Sequence, residues 1–430
     1  MILRLRYGDG SLVADLRGLR CHELRPSTPR HTRPIRELVA AALGAPLGGL
    51  PLAELAHGRR RVTVVVPDAT RKAALPEVLP EVLRCLADAG VPADRTTVLV
   101  ACGTHPAASA EEVSALVGSL PAGIELLQHD ARDTSALLPV GVLPTGLTVR
   151  LHRRAVECDL LVTISTVQHH YIAGFGGGPK MVFPGVAGYE EIQANHARVL
   201  DLSPSPPRRH PGCEPGRLDG NPVAAEIASA ALLRAADFSL LMVAGADGSP
   251  SWAVAGPQGE TFAAACTKVR EWFEVTAGPF HHIVVSAGGH PADRTLIQAH
   301  KALDAACRFA APGAEVLFVA ACDGGAGSPD MLPFLADPRP EAIIRRLAAR
   351  YVQYGHTTLR LLEKTARFRV LVHTALDDAL ARTLGMEPVS RLDEVLDRWR
   401  EAERGAPIGV MAGAPVFPPP AGSAGGLEAP

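Results

Sequence analysis

The chain has 430 residues, of which 47% are hydrophobic, 20% charged and only 4% aromatic, and its formal net charge is −2. That length exceeds one ordinary core and points to two domains. The charge balance excludes the strongly basic face of a nucleic-acid binder, and the scarcity of aromatics excludes base-stacking platforms. Residues 1–20 read as a strand, a Gly-Asp-Gly turn and a second strand, with no apolar leader pattern. Residues 35–43 have helical spacing. Residues 60–66, Arg-Arg-Val-Thr-Val-Val-Val, are a β-branched run of the kind buried on both faces of a parallel sheet. It ends in Pro67-Asp68-Ala69-Thr70-Arg71. A helix is expected over 75–89, closed by Gly90, and then a strand over 96–101 that runs into Cys102-Gly103-Thr104-His105. Ser109 and Glu112 fit a capping box at the start of a helix over 109–117.

A strand over 160–165 leads into residues 168–196, which pack three histidines, a glycine cluster and Lys180 into 29 residues. A helix begins near Tyr189. Residues 203–219 are a proline-rich excursion, and Asn221-Pro222 opens a helix that reaches 234. A strand over 238–243 and a helix over 261–273 complete this half. A second set follows a boundary at 275/276: strands over 282–286, 315–320, 369–373 and 408–411, with helices over 296–309, 338–348, 357–365 and 392–401. The alternation is that of βαβ units. The expected fold is therefore α/β, two α/β domains with mainly parallel sheets and the active site in the cleft between them. Residues 1–275 form the first domain, 276–415 the second, and 416–430 a disordered tail.

Eight cysteines are scattered singly, at 21, 85, 102, 158, 213, 266, 307 and 322, with no CxxC pair. That is the pattern of a reduced, cytoplasmic protein. No apolar run reaches the roughly 18–20 residues that a membrane helix needs. A soluble protein is expected, with neither a nucleic-acid nor a membrane partner.

Ionisable residues collect just after strand ends: Asp68 and Arg71, then His105, then His169 and His170. In open α/β sheets the ligand crevice lies beyond those ends. Gly174-Phe-Gly-Gly-Gly-Pro-Lys180 is not a Walker A loop, since its spacing differs and no Ser or Thr follows the lysine. A glycine-rich turn and a phosphate cradle both remain open for it. Lys180 is either a solvated lysine or a covalent attachment point with its charge suppressed. His196 lies on a helix without HxxxH or His/Cys partners, so a metal on it would take most of its ligands from elsewhere. Gln298 and Lys301 are spaced i, i+3 and share a helix face; with Arg71 they form a possible carboxylate clamp.

Taken together, Asp68-Ala-Thr-Arg71, Gly103-Thr-His105, His170 through Lys180, Pro184-Gly-Val-Ala-Gly-Tyr-Glu, Asn195-His196, Gly220-Asn-Pro222 and Gln298-Ala-His-Lys301 resemble the nickel-pincer-nucleotide-dependent lactate racemase family. The resemblance implies a cofactor, pyridinium-3-thioamide-5-thiocarboxylic acid mononucleotide, joined covalently to Lys180 and carrying nickel whose protein ligand is His196. It implies that His105 and His170 are the two catalytic bases, one per enantiomer. Histidine suits this because its ordinary pKa lies near neutrality. It further implies that Arg71, Gln298 and Lys301 bind the substrate carboxylate, and that Gly176, Gly177, Gly178, Asp68 and Thr70 lie among the cofactor contacts, with Asp68 orienting a neighbour. The implied reaction is racemisation or epimerisation of a 2-hydroxy acid, lactate or a larger 2-hydroxycarboxylate, by hydride removal and return. The implied partners are that substrate and the enzymes that make the cofactor.

Three departures from the family pattern concern the substrate, one of them the proline-rich 203–219 excursion. Ile297 stands where an aromatic residue often precedes the glutamine, and Asp323-Gly-Gly-Ala-Gly-Ser-Pro replaces a Glu-Gly-His-Gly-Gly pattern. Two rival readings are a nicotinamide-dependent 2-hydroxyacid dehydrogenase, for which a GxGxxG loop is missing, and a nucleotide- or nickel-binding protein without turnover. His169 receives no role.

Overall fold

The structure is a computed structural model that describes residues 1–29, 33–402 and 405–420. The chain divides into two compact units, one of Thr28–Val199 with His210–Glu271, the other of Met1–Ser27, Leu200–Arg209 and Trp272–Pro430.

The first unit is built on a six-stranded sheet in the order Pro250–Gly256, Phe238–Ala244, Leu160–Thr166, Val62–Pro67, Thr96–Ala101, Glu125–Gln128. All neighbours are parallel except the edge strand Pro250–Gly256. Val62–Pro67 is buried at every position, as its β-branched run requires of a strand covered on both faces. One layer of cover comes from Ile35–Gly44 and Leu75–Asp88, whose Val39, Val78, Leu79 and Val82 pack on Val64, Val98 and Ile164. The expected capping box is present: Ser109 Oγ accepts the Glu112 N–H at 3.2 Å, and Glu112 Oε2 accepts the Ser109 N–H at 2.8 Å. From Val62–Pro67 the chain goes to Thr96–Ala101 on one side and later to Leu160–Thr166 on the other. The sheet therefore reverses its winding at Val62–Pro67, where a crevice opens beyond the strand ends.

The second unit holds an all-parallel sheet in the order Met386–Pro388, Arg369–His373, Ala310–Val319, Phe280–Ser286, Pro407–Met411, Arg20–Glu23. Ile283, Val285, Val316 and Phe318 face Leu303 and Leu361 on one side; Val284, Leu317 and Leu371 face Leu5, Leu16, Leu396 and Trp399 on the other.

The two-way division differs from the expected one at the N-terminus. Residues 1–27 belong to the second unit, because Arg20–Glu23 extends its sheet beside Pro407–Met411 and the hairpin Ile2–Tyr7/Gly10–Asp15 supplies Leu5 to its core. Spacing within one strand cannot reveal which sheet will accept it. The excursion at 203–219 is split likewise: Leu200–Asp201 pairs with Arg208–Arg209, and Arg209 Nε donates to Glu363 of the second unit at 3.1 Å. The expectation of a disordered tail does not hold at its first residues, since Val416 is fully buried and the Phe417 N–H donates to Phe273 O. Residues 421–430 lie outside the described residues. Among the described residues no helix is long and apolar enough to cross a membrane, and none of the eight cysteines is in a disulfide.

Candidate active site

Three loops leave neighbouring strands of the first unit at the same edge. The register pairs Pro67 with Ala101, so the chain departs the sheet at Asp68 and at Cys102 side by side. The third loop follows Leu160–Thr166. A backbone hydrogen bond from Gly103 N to Gly185 O, 3.0 Å, ties the His105 loop to the turn beyond Lys180, whose carbonyl accepts from Gly185 N at 2.9 Å.

Asp68 is the hub of the first loop. Its Oδ2 lies 2.5 Å from His105 Nδ1, and its Oδ1 accepts from the Thr70 hydroxyl at 2.6 Å and the Thr70 N–H at 3.1 Å. Arg71 Nη1 donates in turn to Thr70 Oγ1 at 3.2 Å. Burial works to raise the Asp68 carboxyl, but the His105 ring, the Thr70 hydroxyl and the Arg71 charge outweigh it and hold the group below its ordinary value. A carboxylate there makes His105 Nδ1 the protonated nitrogen and leaves Nε2 with a lone pair. The sign of the pH effect follows from the depressed pKa. The stabilisation that Asp68 contributes is present above its unfolded pKa and is lost as pH falls through its lower folded value. Asp68→Asn offers an amide donor to Nδ1 and so inverts the tautomer; kcat is expected to fall about 100-fold or more with KM little changed, measured by polarimetry. An unchanged kcat would remove Asp68 from the account.

His170 is set in the opposite sense. His169–His170 pairs antiparallel with Gly174–Phe175, and the tight turn directs the Ile172 and Ala173 N–H groups onto His170 Nδ1 at 3.4 and 3.2 Å. Nδ1 is therefore an acceptor, and the neutral ring carries its proton on Nε2. Tyr171 stacks on the ring, with centroids 4.9 Å apart. His169 packs on Phe175 instead, with ring centroids 5.2 Å apart.

Lys180 sits in the short turn Gly178–Met181. It is half-buried by surface area, yet burial still dominates its ammonium and, with the nearby Arg71 charge, pushes its pKa down to about 7. Two of the three expected glycines have packing reasons of their own. A Cβ on Gly177 would stand 2.3 Å from Thr166 O, and one on Gly178 would stand 2.2 Å from the Phe262 ring. Both have positive φ. The Gly178 N–H is held by Ser165 Oγ at 3.0 Å, and Gly176 donates to Gln168 O at 2.8 Å. Ser165 was not singled out in the sequence, where a serine inside an apolar strand carries no signal.

His196 lies in the last turn of the helix Tyr189–Ala197 and is 6% exposed. Its Nδ1 donates to Ile192 O one turn back, at 2.9 Å, which leaves the Nε2 lone pair free to serve as a ligand. Burial first, then the Lys180 charge, pushes its pKa down to about 3, so the ring is neutral at any working pH. His105, when protonated, also lowers it. Arg71, Lys180, His196 and His105 therefore share one electrostatic neighbourhood. The adjoining Asn195 donates to Glu226 Oε2 at 3.1 Å, and Glu191 pairs with Arg150, which fixes the helix.

Gln298 and Lys301 belong to the second unit, on the helix Leu296–Cys307. Lys301 Nζ lies 2.5 Å from Gln298 Oε1, the i, i+3 contact expected from the sequence. Thr295 makes no side-chain cap. The first helical amides, of Leu296 and Ile297, instead donate to Gly325 O and Ala326 O at 3.0 and 3.2 Å. The departing segment 323–329 thus serves as the cap of this helix. One turn below Lys301, Asp304 braces the helix against Gln353–Thr365 through Arg360 Nη2 and Lys364 Nζ, each at 2.7 Å.

Among the described residues no group of three or more His, Cys, Asp or Glu could hold a metal alone. The chemistry of the donor set suits a tethered group. A lysine with a suppressed charge can bond to it, and one buried neutral imidazole offers Nε2 to a metal whose other ligands come from the group itself.

Residues 7–205 match the family described as lactate racemase N-terminal domain. The chain is 27% identical over 357 residues to a lactate racemase of Thermoanaerobacterium thermosaccharolyticum, covering 81% of each chain. It is also 27% identical over 382 residues to a lactate racemase of Lactiplantibacillus plantarum, covering 84% of this chain and 85% of the relative. Its fold matches the solved lactate racemase apoprotein from T. thermosaccharolyticum with a TM-score of 0.86 at 24% identity, over 97% of this chain and 99% of that one. A Thermotoga maritima protein shares the fold more distantly, with a TM-score of 0.61 at 17% identity over 89% of this chain and 96% of the other.

Proposed function

We propose that this chain, a member of the lactate racemase family, is an isomerase that inverts the carbinol carbon of a 2-hydroxy acid. The observation that carries the reading is the opposed setting of two histidines: His105 presents a bare Nε2 and His170 a protonated one. Inversion at a carbinol through a 2-keto acid needs a group that takes the hydroxyl proton and another, across the substrate, that returns a proton to the oxygen. The exchange balances when the pair carries one proton beyond two neutral rings: with His105 neutral as base and His170 as imidazolium the enzyme serves one enantiomer. After turnover, with His105 as imidazolium and His170 neutral, it serves the second.

Arg71 is the first candidate for the substrate carboxylate, since its guanidinium can grip both oxygens. Thr70 holds one of its nitrogens, which aims the remaining donors. The resemblance assigns carboxylate binding to Gln298 and Lys301 as well, which share a helix face within the second unit. Lys180 and His196 fit the nickel-pincer mononucleotide, Lys180 as its covalent tether and His196 Nε2 as the protein's nickel ligand. When bound, that group supplies the acceptor for the Cα hydride and its return. Loading it would make the enzymes of its synthesis functional partners of this protein. The names of the relatives support lactate as the first substrate to test. Ile297, partly buried against the core, argues for including larger 2-hydroxy acids beside it.

The test is to incubate single enantiomers of lactate and of larger 2-hydroxy acids with enzyme co-expressed with the cofactor-making enzymes, in ordinary and in deuterated water. Loss of optical purity with the Cα hydrogen retained is the expected result. Solvent deuterium at Cα would instead mean proton abstraction, and a stable optical purity across the panel would end the racemase reading.

A further inference from the structure

Asn221 stands at the junction between the 210–220 loop and the helix Pro222–Leu232, and it is 1% exposed. Its Oδ1 accepts the Ala224 N–H at 3.1 Å, the ordinary work of an N-cap residue before a proline at N1. Cys213 Sγ lies 3.6 Å from the same oxygen. A serine, threonine or aspartate could cap equally well. The amide end does something that a cap does not require. Nδ2 donates to Ile172 O at 2.9 Å and to Arg217 O at 3.0 Å.

The Ile172 carbonyl and the Ala173 N–H belong to one peptide group, which is planar and rigid, so holding the carbonyl aims the N–H the opposite way. That N–H donates to His170 Nδ1 at 3.2 Å. Asn221 is thus linked to the imidazole through a single peptide plane. The same loop grips the hairpin a second time, where Gly216 N donates to Gly174 O at 2.9 Å.

We propose that Asn221 is a positioning residue for His170, holding the Ile172–Ala173 peptide so that Nδ1 stays an acceptor and the proton stays on Nε2. This rests on His170 as an acid/base group, and the test separates the two claims. The variant is Asn221→Ser, which keeps a capping oxygen and removes the amide. Asn221→Asp, which also keeps a cap and lacks the donor, is the second variant should the first not fold. The full chain, free of cofactor and labelled with nitrogen-15 in its histidines, reports the protonation of each ring nitrogen by NMR, with His170→Gln identifying the signal.

In the native protein the His170 Nδ1 signal should be that of a bare acceptor. In the variant the two ring nitrogens should move towards an average of the tautomers while the thermal midpoint stays within a few degrees. Loaded enzyme should lose kcat about tenfold with KM little changed and show an altered pH profile. An unchanged His170 pattern in the variant would overturn the proposal. A changed pattern with unchanged racemisation would uphold Asn221 as the positioning group and refute the acid/base role of His170.

Discussion

His105→Ala and His170→Ala are each expected to lower kcat by about 10²–10⁴-fold, and the double variant should be little worse than the weaker single one. The reason is sequence in time. Under the proposed function every inversion needs one histidine to take a proton and the other to return one, so removing either blocks the same passage, and their effects cannot add. KM should change less than kcat, because substrate is held by its carboxylate, the work assigned to Arg71, Gln298 and Lys301. Initial rates with each enantiomer, followed by polarimetry, check this. A single variant that kept near-native rates in both directions would show that its histidine is a bystander. The effect should exceed that of Asp68→Asn, which leaves the imidazole in place and alters only its tautomer.

Lys180→Met should abolish racemisation and at the same time stabilise the cofactor-free protein. Burial and the Arg71 charge bring the Lys180 amine from 10.5 to about 7, so the fold tolerates its ammonium poorly. Three or so pK units correspond to roughly 4–5 kcal/mol, and partial exposure reduces that to about 2–4 kcal/mol. The direction with pH is fixed by the depressed value. Below about 7 the amine is charged in both the folded and unfolded chain, and the full cost weighs on the fold. Between about 7 and 10.5 the folded amine is neutral while the unfolded one is still charged, so the cost shrinks, and above 10.5 it is gone. The gain from methionine should therefore be large at pH 6 and small at pH 10 in urea melts. Equal gains at both, or none, would contradict the burial argument. The same depressed pKa makes a neutral, nucleophilic amine available near pH 7, as covalent attachment requires.

Much of this was legible in the chain because the signals are local. The run of valines before Asp68 announces a doubly covered strand, and polar residues after such strands announce a crevice. Ser109 and Glu112 announce a helix start, and Gln298 with Lys301 a shared face. What the chain could not announce is long-range. Arg20–Glu23 pairs with Pro407–Met411, almost the whole chain away, so its unit could not be read from its own residues. The edge strands Glu125–Gln128 and Pro250–Gly256 carry no run of β-branched residues like that before Asp68, since edge positions need less burial. Gly177 and Gly178 looked like a ligand cradle, yet their immediate cause is the closeness of Thr166 and Phe262, which spacing alone does not encode. The opposed tautomers of His105 and His170 depend on a carboxylate 37 residues away in one case and on a turn three residues long in the other. Only the three-dimensional arrangement makes them complementary.

Under the proposed function Lys180 and His196 together hold a covalent nickel nucleotide. The most direct test is a peptide mass map, with nickel analysis, of the protein co-expressed with the cofactor-making enzymes. The account predicts added mass on the Lys180 peptide alone, with nickel in proportion to it, and loss of the nickel but not of the added mass in His196→Ala. An unmodified Lys180 and no bound nickel under those conditions would contradict it.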